Sequence, residues 1–379
     1  MSRSLGAPAR AVVLAVAVMS LLAAAMLFSG RSPAVAAGSC DLSATPSSFA
    51  SQVAAASAGQ TIGLASGSYG TWTGTNKQIT ITAAAGAAPT MKIDFDSGDG
   101  NFTIDGIGGL GGDMLNGSAN ITIRNSTFTS PLDIDGNADN QPRNIVLDHN
   151  QHTFAGTMSS GDLNGKIRIR NDAGSFTGVT VENSTFANGD WDGIHLGGGA
   201  NIINNTFTNL CDTGGNHTDN IQFEGGTGGD IRGNYIHSTC TTQGITSYDG
   251  ATNNITIEDN VIDIRRAWGI EFYSDTNSII RHNTIRYYAP GCYSSSPCGY
   301  ISLDRKPADP AGTGTQVYDN IAMISIDDGS TAARNDHNLN NANVTYTGPT
   351  TTYNGYKLTT TSAGHNAADD GTDDGARIP

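Results

Sequence analysis

Apolar and polar residues alternate along most of this chain, and the alternation comes in short runs that recur. The runs ITIRNSTF from Ile121, VTVENSTF from Val179, NIINNTF from Asn201 and DIRGNYI from Asp230 share one phrase. An apolar–x–apolar stretch leads to a polar pair with Asn or Ser, and then to another apolar residue. The phrase continues as NITIEDNVI from Asn254, SIIRHNTI from Ser278 and QVYDNIAM from Gln316. A period of two places alternate side chains on opposite faces of a strand. A repeat recurring every twenty to thirty residues is the mark of a solenoid, so the pattern predicts stacked short parallel strands.

One column of the repeat reads Ser126, Asn150, Ser184, Asn205, Asn234, Asn260, Asn283, Asn320. Coils of a parallel stack lie about 4.8 Å apart, close enough for side-chain amides at a bend to hydrogen-bond along the stack. A second strand lies upstream of each phrase, with core residue Met114, Ile134, Ile167, Ile194, Ile221, Ile245, Ile270 or Ile301. With the earlier apolar strands near Ile62, Ile79 and Ile93, the count is about ten coils. Cys211 and Cys240 each fall four residues after one repeat position, Phe207 and Ile236, in consecutive coils. Their Cα atoms should lie roughly 5 Å apart, within disulfide range. Cys292 and Cys298 should close an inserted loop, and the register makes no assignment for Cys40.

Before the first coil, PSSFASQVAAASA (residues 46–58) offers Ser47 or Ser48 as N-cap and Phe49, Val53 and Ala56 as one apolar face. A short helix there would cover the open sheet edge. GQTIGLASGSYGTW follows directly. Helix and motif together resemble the start of secreted right-handed β-helix polysaccharide lyases and epimerases, the pectate-lyase-like superfamily. Those proteins commonly begin with a capping helix and G-[DQ]-T-I-x-L-x-x-G-x-Y. The resemblance extends through the coil repeat. It implies an all-β, right-handed parallel β-helix and a reaction on polysaccharide.

Composition narrows the setting. Gly accounts for 48 of 379 residues and charged residues for 15%, as expected for many strands joined by tight turns. Residues 1–36 read as a signal peptide: Arg3 and Arg10, an apolar run from Ala11 to Phe28, then Ala34-Val35-Ala36. Residues 37–379 are expected to form one domain, exported, monomeric and without a membrane anchor. A net charge of −15 argues against nucleic acid, which requires clustered Lys and Arg. An anionic polysaccharide is compatible wherever the few basic residues gather.

If the isoleucine column is core, the next residue faces out: Asp135, Arg168, His195, Gln222, Thr246, Glu271, Ser302. Two positions on come Asn137, Arg170, Gly197, Glu224, Tyr248, Tyr273 and Asp304. An extended glycan laid along the stack would meet these in succession. Lys166, Arg168 and Arg170 form a basic strip below His195, and Arg305 with Lys306 could supply another subsite through charge-assisted bonds to sugar carboxylates. His217 lies beside His195. Asp192 and Asp219 share one repeat position; their parity points inward, and the expectation is that the bend before each strand turns them out.

The superfamily resemblance implies β-elimination on a uronic-acid-containing glycan. Arg168 and Arg170 would neutralise the carboxylate. His195 would take the C5 proton, with His217 or Tyr248 as alternatives, and Tyr248 or Tyr273 would donate to the leaving oxygen. Ca²⁺ held by Asp192, Asp219 or Glu224 could assist or replace the arginines. An epimerase would use the same proton abstraction. A glycoside hydrolase would instead use paired carboxylates such as Asp192 and Asp219. A non-catalytic carbohydrate-binding solenoid would bind without turnover.

Overall fold

The computed structural model describes residues 40–379 apart from 138, 156–164, 172–173, 212–216, 267, 287–298 and 341–343. The proposed signal peptide, Cys292 and Cys298 lie outside the described residues. Short strands stack in parallel to build a β-helix. One sheet runs through thirteen strands, from Leu42–Ala44 to Ala332–Asp336. This exceeds the ten coils counted from the repeat, which passed over Leu42–Ala44, Gly100–Asp105 and Ala332–Asp336. Facing it are two further parallel ladders that diverge from the ten-residue strand Thr127–Gly136.

The core is a set of apolar columns. In the thirteen-stranded sheet Ile104, Ile123, Leu147, Val181, Ile202, Ile231, Ile257, Ile280 and Val317 are all fully buried. The opposing ladder aligns Leu132, Ile167, Ile194, Ile221, Ile245, Ile270 and Ile301, also fully buried. Here the sequence register needs correction: Ile167 lies beside Leu132, and Ile134 lies beside Ile169. The slip is two residues, so the face of every side chain is preserved. Asp133, not Asp135, is therefore the neighbour of Arg168.

The polar column is a buried ladder, as expected. Each backbone N–H donates to the side chain one coil on: Asn205 to Asn234 Oδ1 at 2.9 Å, Asn234 to Asn260 at 3.0 Å, Asn283 to Asn320 at 2.9 Å. The amide groups bond to one another as well, Asn234 Nδ2 to Asn260 Oδ1 at 2.9 Å, and back to the preceding coil, Asn234 Nδ2 to the Ile202 carbonyl at 2.8 Å. The ladder extends to Asn338. The residue before each rung adopts positive φ, as in Asn204 (55°), Asp259 (57°), His282 (53°) and Asp319 (55°). Asn, Asp and His tolerate that conformation better than other side-chain-bearing residues, and Gly233 fills the same place at 67°.

The helix forms over Phe49–Ala55, with Phe49 and Val53 buried. Phe49 packs edge-on against Tyr69 and Trp72, closing the first coil. Ser48 takes the cap position, but its hydroxyl accepts from the Thr45 N–H and makes no capping bond to the helix. Lys77 Nζ instead satisfies the helix's last carbonyls, donating to Val53, Ala54 and Ala56. Cys211 and Cys240 are bonded, with Cα atoms 5.2 Å apart. Among the described residues no helix is long and apolar enough to cross a membrane.

Replacing Asn260 by Ala should remove a buried amide with partners on both sides. The expected loss is about 1–3 kcal/mol of stability, with turnover intact. Denaturant unfolding checks it; an unchanged midpoint with lost turnover would move the catalytic centre to that corner.

Candidate active site

The ladder strands Asp192–Gly197, Asp219–Phe223, Gln243–Ser247 and Trp268–Tyr273 lie side by side. They carry a cavity of about 200 Å³ bordered by His217, Asp219, Tyr248, Arg266, Glu271 and Tyr273. Strand alternation turns Glu271 and Tyr273 outward from the core residues Ile270 and Phe272. Their position two apart brings the Tyr273 hydroxyl to Glu271 Oε1 at 3.2 Å. Tyr248 closes the mouth, its ring edge-on to Tyr273 at 4.9 Å and 45% exposed.

The electrostatics favour protonated groups here. Burial pushes the Glu271 carboxyl up to about 8, and Asp219 and Asp304 add to it. Tyr273 is raised by the same burial and by Glu271. His217 Nδ1 lies 3.0 Å from Asp219 Oδ2, and that hydrogen bond lifts the imidazole to about 9 against the desolvation that opposes it. The His217 side chain is 43% exposed, while Asp219 is buried. With Asp219 holding Nδ1, Nε2 is left for a ligand.

His195 has a different character. It stands in the outward column, yet it is only 2% exposed. Nδ1 meets Asp192 Oδ2 at 3.1 Å and Nε2 meets Glu224 Oε1 at 3.4 Å. Burial disfavours its charge, but the bonds and charges of these two carboxylates outweigh burial and raise it to about 9. His195 is thus buried with a carboxylate beside each ring nitrogen, whereas His217 is partly exposed at the cavity.

Other expected residues are also redistributed. Arg168 pairs with Asp133 at 2.6 Å and Arg170 pairs with Asp135, so both guanidiniums are partly neutralised. Lys166 is fully buried rather than on the groove, its ammonium over the Phe154 ring and donating to the Phe154 carbonyl. Burial lowers it to about 8. Gln222 is buried and donates to Asp249 at 2.9 Å. Arg305 is turned to the carbonyls of Asp328 and Asp309, and Asp304 accepts from the Arg305 N–H. Lys306 lies over the Tyr248 ring at 3.9 Å.

Asp192 and Asp219 reach the imidazoles of His195 and His217, as expected of a bend that turns them out. Both are buried, and the Asp219 N–H donates to Asp192 Oδ1 at 2.8 Å. Asp219 borders the cavity, and Asp192 does not. The expected Ca²⁺ ligands do not fit a metal. Asp192 and Glu224 are committed to His195 and Asp219 to His217, and no group of three or more His, Cys, Asp or Glu among the described residues is placed to hold one.

Sequence reasoning missed Gln243, Arg266 and Trp268, which also border the cavity. Gln243 is aligned with Asp219 at the inward-parity start of its strand, a column that outward periodicity passes over. Arg266 and Trp268 flank the start of theirs, where RRAW was the available signal.

Residues 165–368 match the family described as the right-handed β-helix region, and the chain belongs to that family. Among solved structures, the PL6-family alginate lyase AlyGC is similar at a TM-score of 0.50 and 14% identity, over 89% of this chain and 57% of that one. This chain therefore spans little more than half of that enzyme's length. A mannuronic-acid-specific family 6 polysaccharide lyase from human gut microbiota gives 0.43 at 15% identity, over 75% and 82%. The A-module of the Azotobacter vinelandii mannuronan C-5 epimerase AlgE6 gives 0.38 at 13% identity, over 78% and 93%. No curated protein matches the sequence.

The raised histidine makes a prediction about pH. A folded value near 9 against an ordinary 6.5 means that the His195 contribution is full below 6.5 and is lost as pH rises through 9. Glu271, raised from 4.5 to about 8, drives stability in the same direction. Denaturation midpoints should fall from neutral to alkaline pH, and His195→Asn should flatten that fall. An equally steep fall in the variant would remove His195 as its source.

Proposed function

We propose that this chain is an exported polysaccharide lyase that cleaves a uronic-acid-containing glycan by β-elimination in the cavity between His217 and Glu271. The observation that carries the reading is the pairing of an Asp-held imidazole with a carboxyl raised to about 8, across one cavity that Arg266 also borders. Arg266 would meet the sugar carboxylate and stabilise the charge that develops on it. His217 Nε2 would take the C5 proton, the electron pair would form the C4–C5 double bond, and the C4–O bond would break. Glu271, protonated at neutral pH, would give its proton to the leaving oxygen, with the Tyr273 hydroxyl fixing its orientation. Tyr248 and Trp268 offer apolar faces for sugar rings. The fold shared with AlyGC, described as an alginate lyase, supports a uronate polymer as substrate. The N-terminal basic and apolar segment supports export.

The same cavity supports a second reading, a glycoside hydrolase with Glu271 as acid and Asp219 as base. It is favoured by Asp219 Oδ1, which is buried without a hydrogen-bond partner. The products separate the two: elimination leaves an unsaturated uronyl end that absorbs in the ultraviolet, and hydrolysis does not.

In the lyase, a panel of uronate polymers should include one that yields ultraviolet-absorbing products. His217→Ala should lower kcat about 10²–10⁴-fold. Because His217 must be neutral and Glu271 protonated, kcat/KM should be bell-shaped, with its maximum between about 8 and about 9. Products without absorbance, or full activity in His217→Ala, would refute the lyase.

A further inference from the structure

Outside the cavity, one outward column of the thirteen-stranded sheet carries many charged rungs, several of which pair with one another. Arg124 pairs with Asp105 at 2.9 Å, Arg281 with Glu258 at 2.8 Å, and Arg334 with Asp336 at 2.7 Å. The outward column beside it is uncharged along the first coils. On their outer face lies a second, larger groove of about 650 Å³, lined by Asn76, Gln78, Asn101, Thr103, Asn120 and Thr122 together with Phe102. None of these residues is charged, in a chain of net charge −15.

The groove is periodic. Thr61, Thr80, Thr103 and Thr122 are aligned on four consecutive coils. Beside them the asparagine amides form a second ladder, this one exposed: Asn101 Nδ2 donates to Asn76 Oδ1 at 2.5 Å, Asn120 to Asn101 at 2.9 Å and Asn144 to Asn120 at 2.9 Å. Asn101, Asn120 and Asn144 have positive φ, so Asn is favoured there for backbone reasons as well. Backbone demand does not account for the rest. An amide in such a ladder uses one of its two N–H groups and one of its two carbonyl lone pairs, leaving one of each for solvent or a ligand. Thr103 and Thr122 carry half-buried hydroxyls in the groove wall, and Thr61 and Thr80 continue their column.

We propose that this groove is a second glycan-binding site, which holds an extended, hydroxyl-rich polysaccharide segment away from the cavity. Sugar hydroxyls both donate and accept, as do Asn and Gln amides and Thr hydroxyls. The absence of fixed charge in the groove lining suits uncharged partners and avoids burying an unpaired ion. Coil spacing of about 4.8 Å repeats the same donors and acceptors at close to the length of one pyranose in an extended chain, so successive sugars meet equivalent groups. The site would keep the enzyme on polymer between encounters of the cavity with a cleavable linkage, raising the local substrate concentration. It does not depend on whether the cavity performs elimination or hydrolysis.

The test is affinity electrophoresis of the full chain through gels containing xylan, hydroxyethyl cellulose or alginate. The double variant Thr103→Val with Thr122→Val keeps β-branched shape and removes two hydroxyls; Gln78→Ala, on an exposed side chain, is the second probe. Wild type and His217→Ala should both be retarded in at least one gel, while the double variant and Gln78→Ala should migrate several-fold less retarded, with turnover of short soluble oligomers unchanged. No retardation in any gel, retardation that survives both variants, or retardation lost in His217→Ala would overturn the proposal. So would concentration-dependent sedimentation abolished by the same substitutions, since a second copy of the chain would then occupy the groove.

Discussion

A buried amide cannot be left without partners, and this protein stacks its coils so that each amide finds them. The ladder from Asn205 to Asn338 joins six successive coils through five amide–amide bonds without a break. Sliding one coil by a residue would strand an amide in an apolar interior and turn the adjoining isoleucine column toward solvent. Loops between strands vary in length, yet they leave the strands aligned. The outward columns that border the cavity inherit their positions from this constraint.

Alignment also explains how an acidic protein gathers protonated groups. Coils about 4.8 Å apart bring carboxylates from neighbouring turns to one imidazole. His195 receives Asp192 from its own strand and Glu224 from the next coil, and His217 receives Asp219. Two coils beyond Asp219, Glu271 is buried near Asp219 and Asp304, so its proton is retained to about 8 although the Tyr273 hydroxyl donates to it. One cavity thus holds an Asp-held imidazole and a carboxyl that keeps its proton to about 8. The buried His195 cluster below it is a charge-compensated support.

Much of this was legible in the sequence because strand period and coil repeat are both regular. The asparagine column, the Cys211–Cys240 bond, the capping helix and the outward placement of Glu271 and Tyr273 follow from counting. Counting failed where regularity does. Thr127–Gly136 spans a corner shared by two ladders, so Leu132 and Ile134 are equally good candidates for the column, and the wrong one was aligned with Ile167. Periodicity also says which way a side chain leaves the backbone, not what it then meets. Lys166 leaves its strand as expected, but Phe154 covers it. Arg305 was expected on the groove, but nearby carbonyls claim it. Arg266 precedes its strand, where the repeat gives no register at all.

The proposed elimination requires that the stacked register build one reactive cavity between His217 and Glu271. A crystal structure of the His217→Ala variant with a bound uronate oligosaccharide tests it most directly. A sugar carboxylate should lie at Arg266, a glycosidic oxygen within hydrogen-bond reach of Glu271, and a C5 hydrogen facing the space left by the imidazole. An oligosaccharide centred on Arg168 and Arg170, or bound only on the outer face of the thirteen-stranded sheet with the cavity empty, would contradict it.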